Sequence, residues 1–331
     1  MRSSFAVTVF VYALVTGAAC APAQQAPAPQ ARAADRPDPA RVLEIETASS
    51  SSARDLRRFV MGRRWDRLEA RNLHSAVSLP ETLIANRIKA WRRLPVGERV
   101  ARWARLFASR NDNVYCFGPK PGGYTAESLL VQDYKFDCVS LFYRTTELAQ
   151  ASSARQALHI AFDTRFKGVD LTRWPSPTGA VSYDDSVHLD YSEDMLRTGI
   201  WGREVTADVG VDIPDAAGSS RYAPGSYAFI PKDNLRYENL KSGDLLYFVL
   251  DEKNEKARTL REKYGLLVGH QGIVDRDGDT VYLIHAAQSD LPGVYTGNRV
   301  VRVPLRTYLD RVERFKGLMV SRLEATPETR D

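Results

Sequence analysis

The sequence predicts an α+β fold in which a helix opening on a cysteine packs against an antiparallel sheet, with a helical region ahead of it. Three observations predict it. Apolar residues recur at helical spacing directly after Asp137-Cys138. The last hundred residues break into short β-rich runs separated by turn signals, among them Asp277-Gly278. Residues 53–110 carry apolar stripes of helical period on a basic background. With 331 residues, 44% hydrophobic, the chain can bury one large core or two small ones, and a net charge of +5 is modest. No nucleic-acid recognition motif is present, and past the N-terminus no apolar run is long enough to span a bilayer.

Residues 1–19 place Arg2 ahead of an apolar run from Phe5 to Val15 and then the small residues Gly17, Ala18 and Ala19, the pattern of a signal peptide. The expected location is therefore outside the cytoplasm, in the periplasm. Cys20 follows at once. Two readings stay open: lipidation of Cys20, giving an outer-membrane lipoprotein anchored to the membrane, or ordinary cleavage, since Gly17 stands where lipoprotein signals usually carry Leu. Residues 20–40 form an Ala/Pro-rich linker; eight Ala and five Pro among residues 21–40 cannot bury enough surface to offset chain entropy.

Residues 41–109 read as an Arg-rich helical region. Ser78 and Glu81 have capping-box spacing ahead of Ile84, Ile88 and Trp91, and Val96, Val100, Trp103 and Phe107 make a second stripe. Residues 53–110 hold fifteen Lys and Arg against five Asp and Glu, so the remainder of the chain is net negative. Such a face is either simply solvated or a contact for anionic envelope polymers.

Residues 110–331 read as the catalytic domain. Gly118-Pro119-Lys120-Pro121-Gly122-Gly123-Tyr124 is a loop. Asp137 is the N-cap of the next helix, with Leu141, Phe142, Thr145, Leu148 and Ala149 on one face. A thiol in a first helical turn sits where the dipole favours negative charge, so the expected pKa of Cys138 lies below the free value of about 8.5, in the range ~3.5–7.5. A second helix covers 154–166, and residues 168–240 are irregular and contain His188. Strands are expected over Asp244–Leu250, His270–Asp275, Thr280–Ala286, Arg299–Val303 and Leu318–Leu323, with charged residues 251–263 as an insertion.

If Asp277-Gly278 forms a type I′ turn, Arg276 faces Asp279 and His270 directly faces His285, with Cβ atoms about 5 Å apart on one sheet face. Two facing histidines make a metal site, a packing coincidence, or a base with its orienting partner. No third ligand stands at zinc spacing, so no cofactor is expected. A cysteine at a helix start plus such a pair fits thiol catalysis: Cys138 as nucleophile, His270 as base, His285 holding His270, and the Cys138 backbone N–H in the oxyanion hole. The bland alternative for Cys138 is a small buried apolar residue.

The order Asp137-Cys138, Gly243-Asp244, Gly269-His270-Gln271-Gly272-Ile273-Val274 and Ile284-His285-Ala286 resembles the NlpC-type cell-wall hydrolases, in particular their N-acetylmuramoyl-L-alanine amidase branch. The resemblance covers roughly residues 110–323. It implies a circularly permuted papain-like fold and an exported cysteine amidase acting on peptidoglycan or muropeptides. It also implies that Tyr124 contributes a hydroxyl near the nucleophile or substrate, against a core tyrosine, and that His188 contacts substrate. The chain departs from the family in Val139-Ser140-Leu141-Phe142 and around His188, which bears on bond specificity. A stem-peptide endopeptidase of the same fold and an inactive envelope-binding protein are the alternatives. Cys116 is either buried and free or, in an oxidising compartment, a partner that would silence Cys138.

Overall fold

The computed structural model describes residues 62–166, 176–184, 192–217 and 225–324. The expected signal peptide, Cys20, the linker and His188 lie outside the described residues. Helix α1 covers residues 62–72, α2 Glu81–Trp91 and α3 Val96–Ala108. Strands β1 (Val114–Tyr115) and β2 (Lys135–Phe136) pair in parallel and lead into α4 (Cys138–Gln150) and α5 (Ala154–Arg165). The middle of the chain holds short elements: α6 (Ser192–Thr198), β3 (Arg203–Glu204), α7 (Thr206–Val209), β4 (Asp215–Ala217), β5 (Ser226–Ala228) and β6 (Ile230–Pro231). Then come β7 (Leu245–Leu250), α8 (Glu255–Tyr264), β8 (Val268–Asp277), β9 (Thr280–Ala287), β10 (Arg299–Pro304), α9 (Leu305–Arg311) and β11 (Phe315–Arg322).

The principal sheet has the order β10-β9-β8-β7-β11-β3 with every neighbour antiparallel, and β6 also pairs with β11. Both faces are covered, which explains why β7 is a continuous apolar run without alternation. Leu245, Tyr247 and Val249 enter a core with Trp103, Phe107, Leu141 and Phe142. Leu246, Phe248 and Leu250 enter a second core with Tyr308, Leu309 and Phe315. Helices α1 to α3 contribute Leu68, Ile84, Val100, Trp103 and Phe107 to the first core, so the Arg-rich helices and the sheet fold around shared apolar residues. Arg105 of α3 further binds the buried Asp275 of β8, which Arg302 of β10 also contacts at 2.6 Å. Part of the basic face is thus tied to the sheet rather than solvated.

The hairpin register differs from the expected one. Asp277 pairs with Thr280 and Ile273 with Ile284, so the central turn residues are Gly278 and Asp279. Only Gly278 has a positive φ, +58°, which is the type II′ arrangement with glycine first. A type I′ turn centred on Asp277 would need a positive φ at that aspartate as well. The offset is two residues, so side chains keep their faces. His270 and His285 are diagonal neighbours instead of directly opposed. The charged stretch read as an insertion is helix α8, whose first turn is capped by Asn254 and whose end is closed by Gly265 in the left-handed region.

Candidate active site

Helix α4 begins where the sequence places it, because Asp137 closes a reciprocal capping box. Its carboxylate accepts the Ser140 N–H at 2.7 Å, and its own backbone N–H donates to Ser140 Oγ at 3.0 Å. The second carboxylate oxygen accepts the Gly118 N–H at 2.9 Å, which ties the glycine-rich loop to the start of the helix. Asp137 is buried, whereas Cys138 is partly exposed. The thiol lies against the backbone N–H of Gln271, the residue after His270 in β8. That contact brings the helix start to the histidine strand.

His270 Nε2 and His285 Nδ1 are 2.8 Å apart, and both rings are buried. Gly272 stands beside the pair, where a Cβ would overlap Leu283 Cδ1 and lie 3.4 Å from His285 Cβ, an ordinary contact distance. The His270 ring stacks on Phe315 at 6.2 Å and 14° and packs on Phe248, while His285 meets Tyr308 edge-on at 4.9 Å and Tyr295 at 5.4 Å. His285 Nε2 is buried without a hydrogen-bond partner among the described residues.

Electrostatics at the site run against the simple helix-dipole expectation. Burial first, then the Asp137 carboxylate, push the Cys138 thiol up to about 12, opposed by the Gln271 N–H and the charge of Arg314. The expected depressed thiol pKa is therefore corrected: desolvation and a like charge outweigh the dipole. Burial, His285 and Arg314 hold His270 well below the usual imidazole range. Burial and Arg314 bring His285 down to about 3. These shifts all favour the neutral forms of the thiol and of both imidazoles.

Tyr124 is brought to Tyr183, edge-on at 5.2 Å, with Asp137 and the Thr125 side chain as its polar neighbours. A different tyrosine, Tyr115, also lies near Cys138: burial first, and then the negative charge of the Cys138 sulfur, raise its phenol. Neither Tyr115 nor Tyr308 carried a sequence signal, since each depends on a distant strand for its neighbours. Cys116 is buried, and both Cys116 and Cys138 are free thiols. Among the described residues no cluster of His, Cys, Asp and Glu could hold a metal ion, and no helix is long and apolar enough to cross a membrane.

These features define an α+β fold in which the capped start of a helix contacts the backbone of the antiparallel-sheet strand that carries one of two hydrogen-bonded histidines. No family model and no curated protein sequence matches the chain. Solved structures do share the fold. An N-acetylmuramoyl-L-alanine amidase from Bacteroides uniformis ATCC 8492 is similar over 69% of this chain and 99% of its own, with 18% identity and a TM-score of 0.50. A Legionella pneumophila protein of the DUF1460 family is similar over 72% of this chain and 93% of its own, with 14% identity and a TM-score of 0.50. At such identity the likeness is one of fold.

Proposed function

We propose that the protein is an exported cysteine-dependent peptidoglycan amidase with a circularly permuted papain-like fold, cutting the bond between the muramoyl lactyl group and L-alanine. The observation that carries the reading is the 2.8 Å contact between His270 and His285, beside the capped start of the Cys138 helix. The fold shared with the Bacteroides uniformis amidase supports the choice of bond. The N-terminal residues support a periplasmic location, with Cys20 as the anchor if it is lipidated.

The chemistry follows from the ring geometry. His270 Nε2 is engaged by His285, which leaves Nδ1 for the thiol proton. In the competent tautomer His270 Nε2–H donates to His285 Nδ1, so His285 fixes the ring and shares the charge that develops on it. As the Cys138 sulfur attacks the lactyl carbonyl carbon, its proton passes to His270. The Cys138 N–H at the positive end of α4 faces the developing oxyanion. Collapse breaks the C–N bond, His270 protonates the departing amine of L-alanine, and a water deprotonated by His270 hydrolyses the thioester. Because thiol and imidazole start neutral, proton transfer accompanies attack and no preformed ion pair is needed.

Incubation of muropeptides with wild type and Cys138→Ala, followed by product mass, tests this. The expected products are free sugar and intact stem peptide from wild type and nothing from the variant. Shortened stems would establish the endopeptidase alternative, and turnover by Cys138→Ala would overturn the nucleophile.

A further inference from the structure

Arg314 stands at the start of β11, exposed to solvent, beside the machinery just described. Its guanidinium lies 4.7 Å from the centroid of the Phe315 ring, and that ring stacks on His270. Its backbone carbonyl accepts the Asp251 N–H at 2.9 Å, which fixes the main chain at Arg314. The β7–β11 ladder shifts register between Phe315 and Gly317, the kind of bulge that re-aims side chains next to sites. The guanidinium also reaches the Tyr308 hydroxyl, and Tyr308 packs on His285.

The charge balance around Arg314 is unlike that of its neighbours. Lys316 pairs with Glu252, Arg322 with Asp244, and Arg302 with Asp275, all on the same sheet. Among the described residues Arg314 has no carboxylate within ion-pair distance. Its charge is nevertheless felt throughout the site, by Cys138, His270, His285, Tyr115 and Tyr295. A planar fork of donors held on an aromatic ring at the edge of a site is suited to bidentate recognition of a carboxylate.

We propose that Arg314 is a specificity-determining residue that takes a free carboxylate of the peptide substrate and so seats the scissile amide over Cys138. This rests on the hydrolase reading above and names the anionic form of the stem peptide as the preferred substrate. A guanidinium that served only to favour the thiolate would act on every substrate alike. Carboxylate recognition acts on the charged one.

The test uses two muropeptides identical except that the α-carboxylate of the second stem residue is free in one and amidated in the other. Wild type is expected to show a kcat/KM about tenfold or more higher for the free acid, carried mainly by KM, as a charge-assisted contact allows. In Arg314→Gln the ratio falls to within about twofold, and Arg314→Lys, which keeps the charge but loses the fork, retains part of it. A wild type that processes both alike, or an Arg314→Gln variant that slows both equally with the ratio intact, overturns the proposal. Titration of the same pair into Cys138→Ala by calorimetry reads the contact without chemistry. A binding preference that disappears in Cys138→Ala/Arg314→Gln, with no turnover by wild type, would retain the Arg314 assignment and sink the hydrolase reading. Equal affinities would overturn Arg314.

Discussion

Asp137 both builds the site and restrains it, and replacing it separates the two effects. Its carboxylate caps α4 through Ser140 and holds the loop through Gly118, while its charge raises the Cys138 thiol. Asp137→Ala removes an N-cap, at a cost of about 0.5–2 kcal/mol. It also leaves the Gly118 N–H unsatisfied in a buried setting, at roughly 1–3 kcal/mol. Together the loss is about 1.5–5 kcal/mol, read as a lowered midpoint in urea. Asp137→Asn keeps one oxygen for Ser140 but turns an amide toward Gly118, so its loss is smaller, about 1–3 kcal/mol. Both variants remove a like charge beside the sulfur, and iodoacetamide should alkylate Cys138 about tenfold or more faster at pH 8, from Coulomb energies at an effective dielectric of about 20. The expected outcome is a less stable protein with a more reactive thiol. Alkylation of folded Asp137→Asn at the wild-type rate or slower would refute the contribution of the Asp137 charge to the raised thiol pKa.

Other outcomes follow from the same structure. Gly272→Ala places a methyl against Leu283 and 3.2 Å from the Ile284 carbonyl oxygen, and should cost about 1–3 kcal/mol while displacing His285, seen as a lowered melting temperature together with lost turnover. His285 is neutral in the folded protein down to about pH 3 but titrates near 6.5 when unfolded, so the unfolded chain binds the extra proton between those values and stability falls as pH drops below about 6.5. The slope is up to ~1.4 kcal/mol per pH unit for that residue. His285→Leu should reduce the slope, leaving the part due to His270, in urea titrations compared at pH 7 and pH 5. Asp133 and Arg144 form a buried ion pair at 2.6 Å, with the Leu79 N–H also on Asp133, so Asp133→Ala strands a guanidinium and should cost about 3–5 kcal/mol by chemical denaturation.

How much of this was legible in the sequence depends on the kind of physics each feature uses. Local and periodic features were readable. Asp137 ahead of a helical stripe marks a cap because its carboxylate needs only the N–H groups three residues on. The two histidines share a sheet face because face alternates with period two, and that parity survived an error of two residues in the register. The turn type itself was misassigned because Asp277-Gly278 and Gly278-Asp279 are both acceptable turn pairs, and flanking strand pairing chose between them. Helix α8 was missed although Asn254 and Gly265 bracket it, since its charged surface shows little apolar periodicity.

The sequence by itself determined where the Cys138 helix starts, which strands make the hairpin and that His270 and His285 lie on one face, because these follow from hydrogen bonds and side-chain directions within a few residues. Only the tertiary structure decided the electrostatic state of the thiol, since its desolvation depends on the packing of β8 and the glycine-rich loop around the helix start, although the adjacent Asp137 charge is fixed by the sequence. It alone brought Tyr115, Tyr308 and Arg314 to the site, from segments up to two hundred residues apart in the chain. Charge and burial act through space, and contiguity along the chain does not encode them.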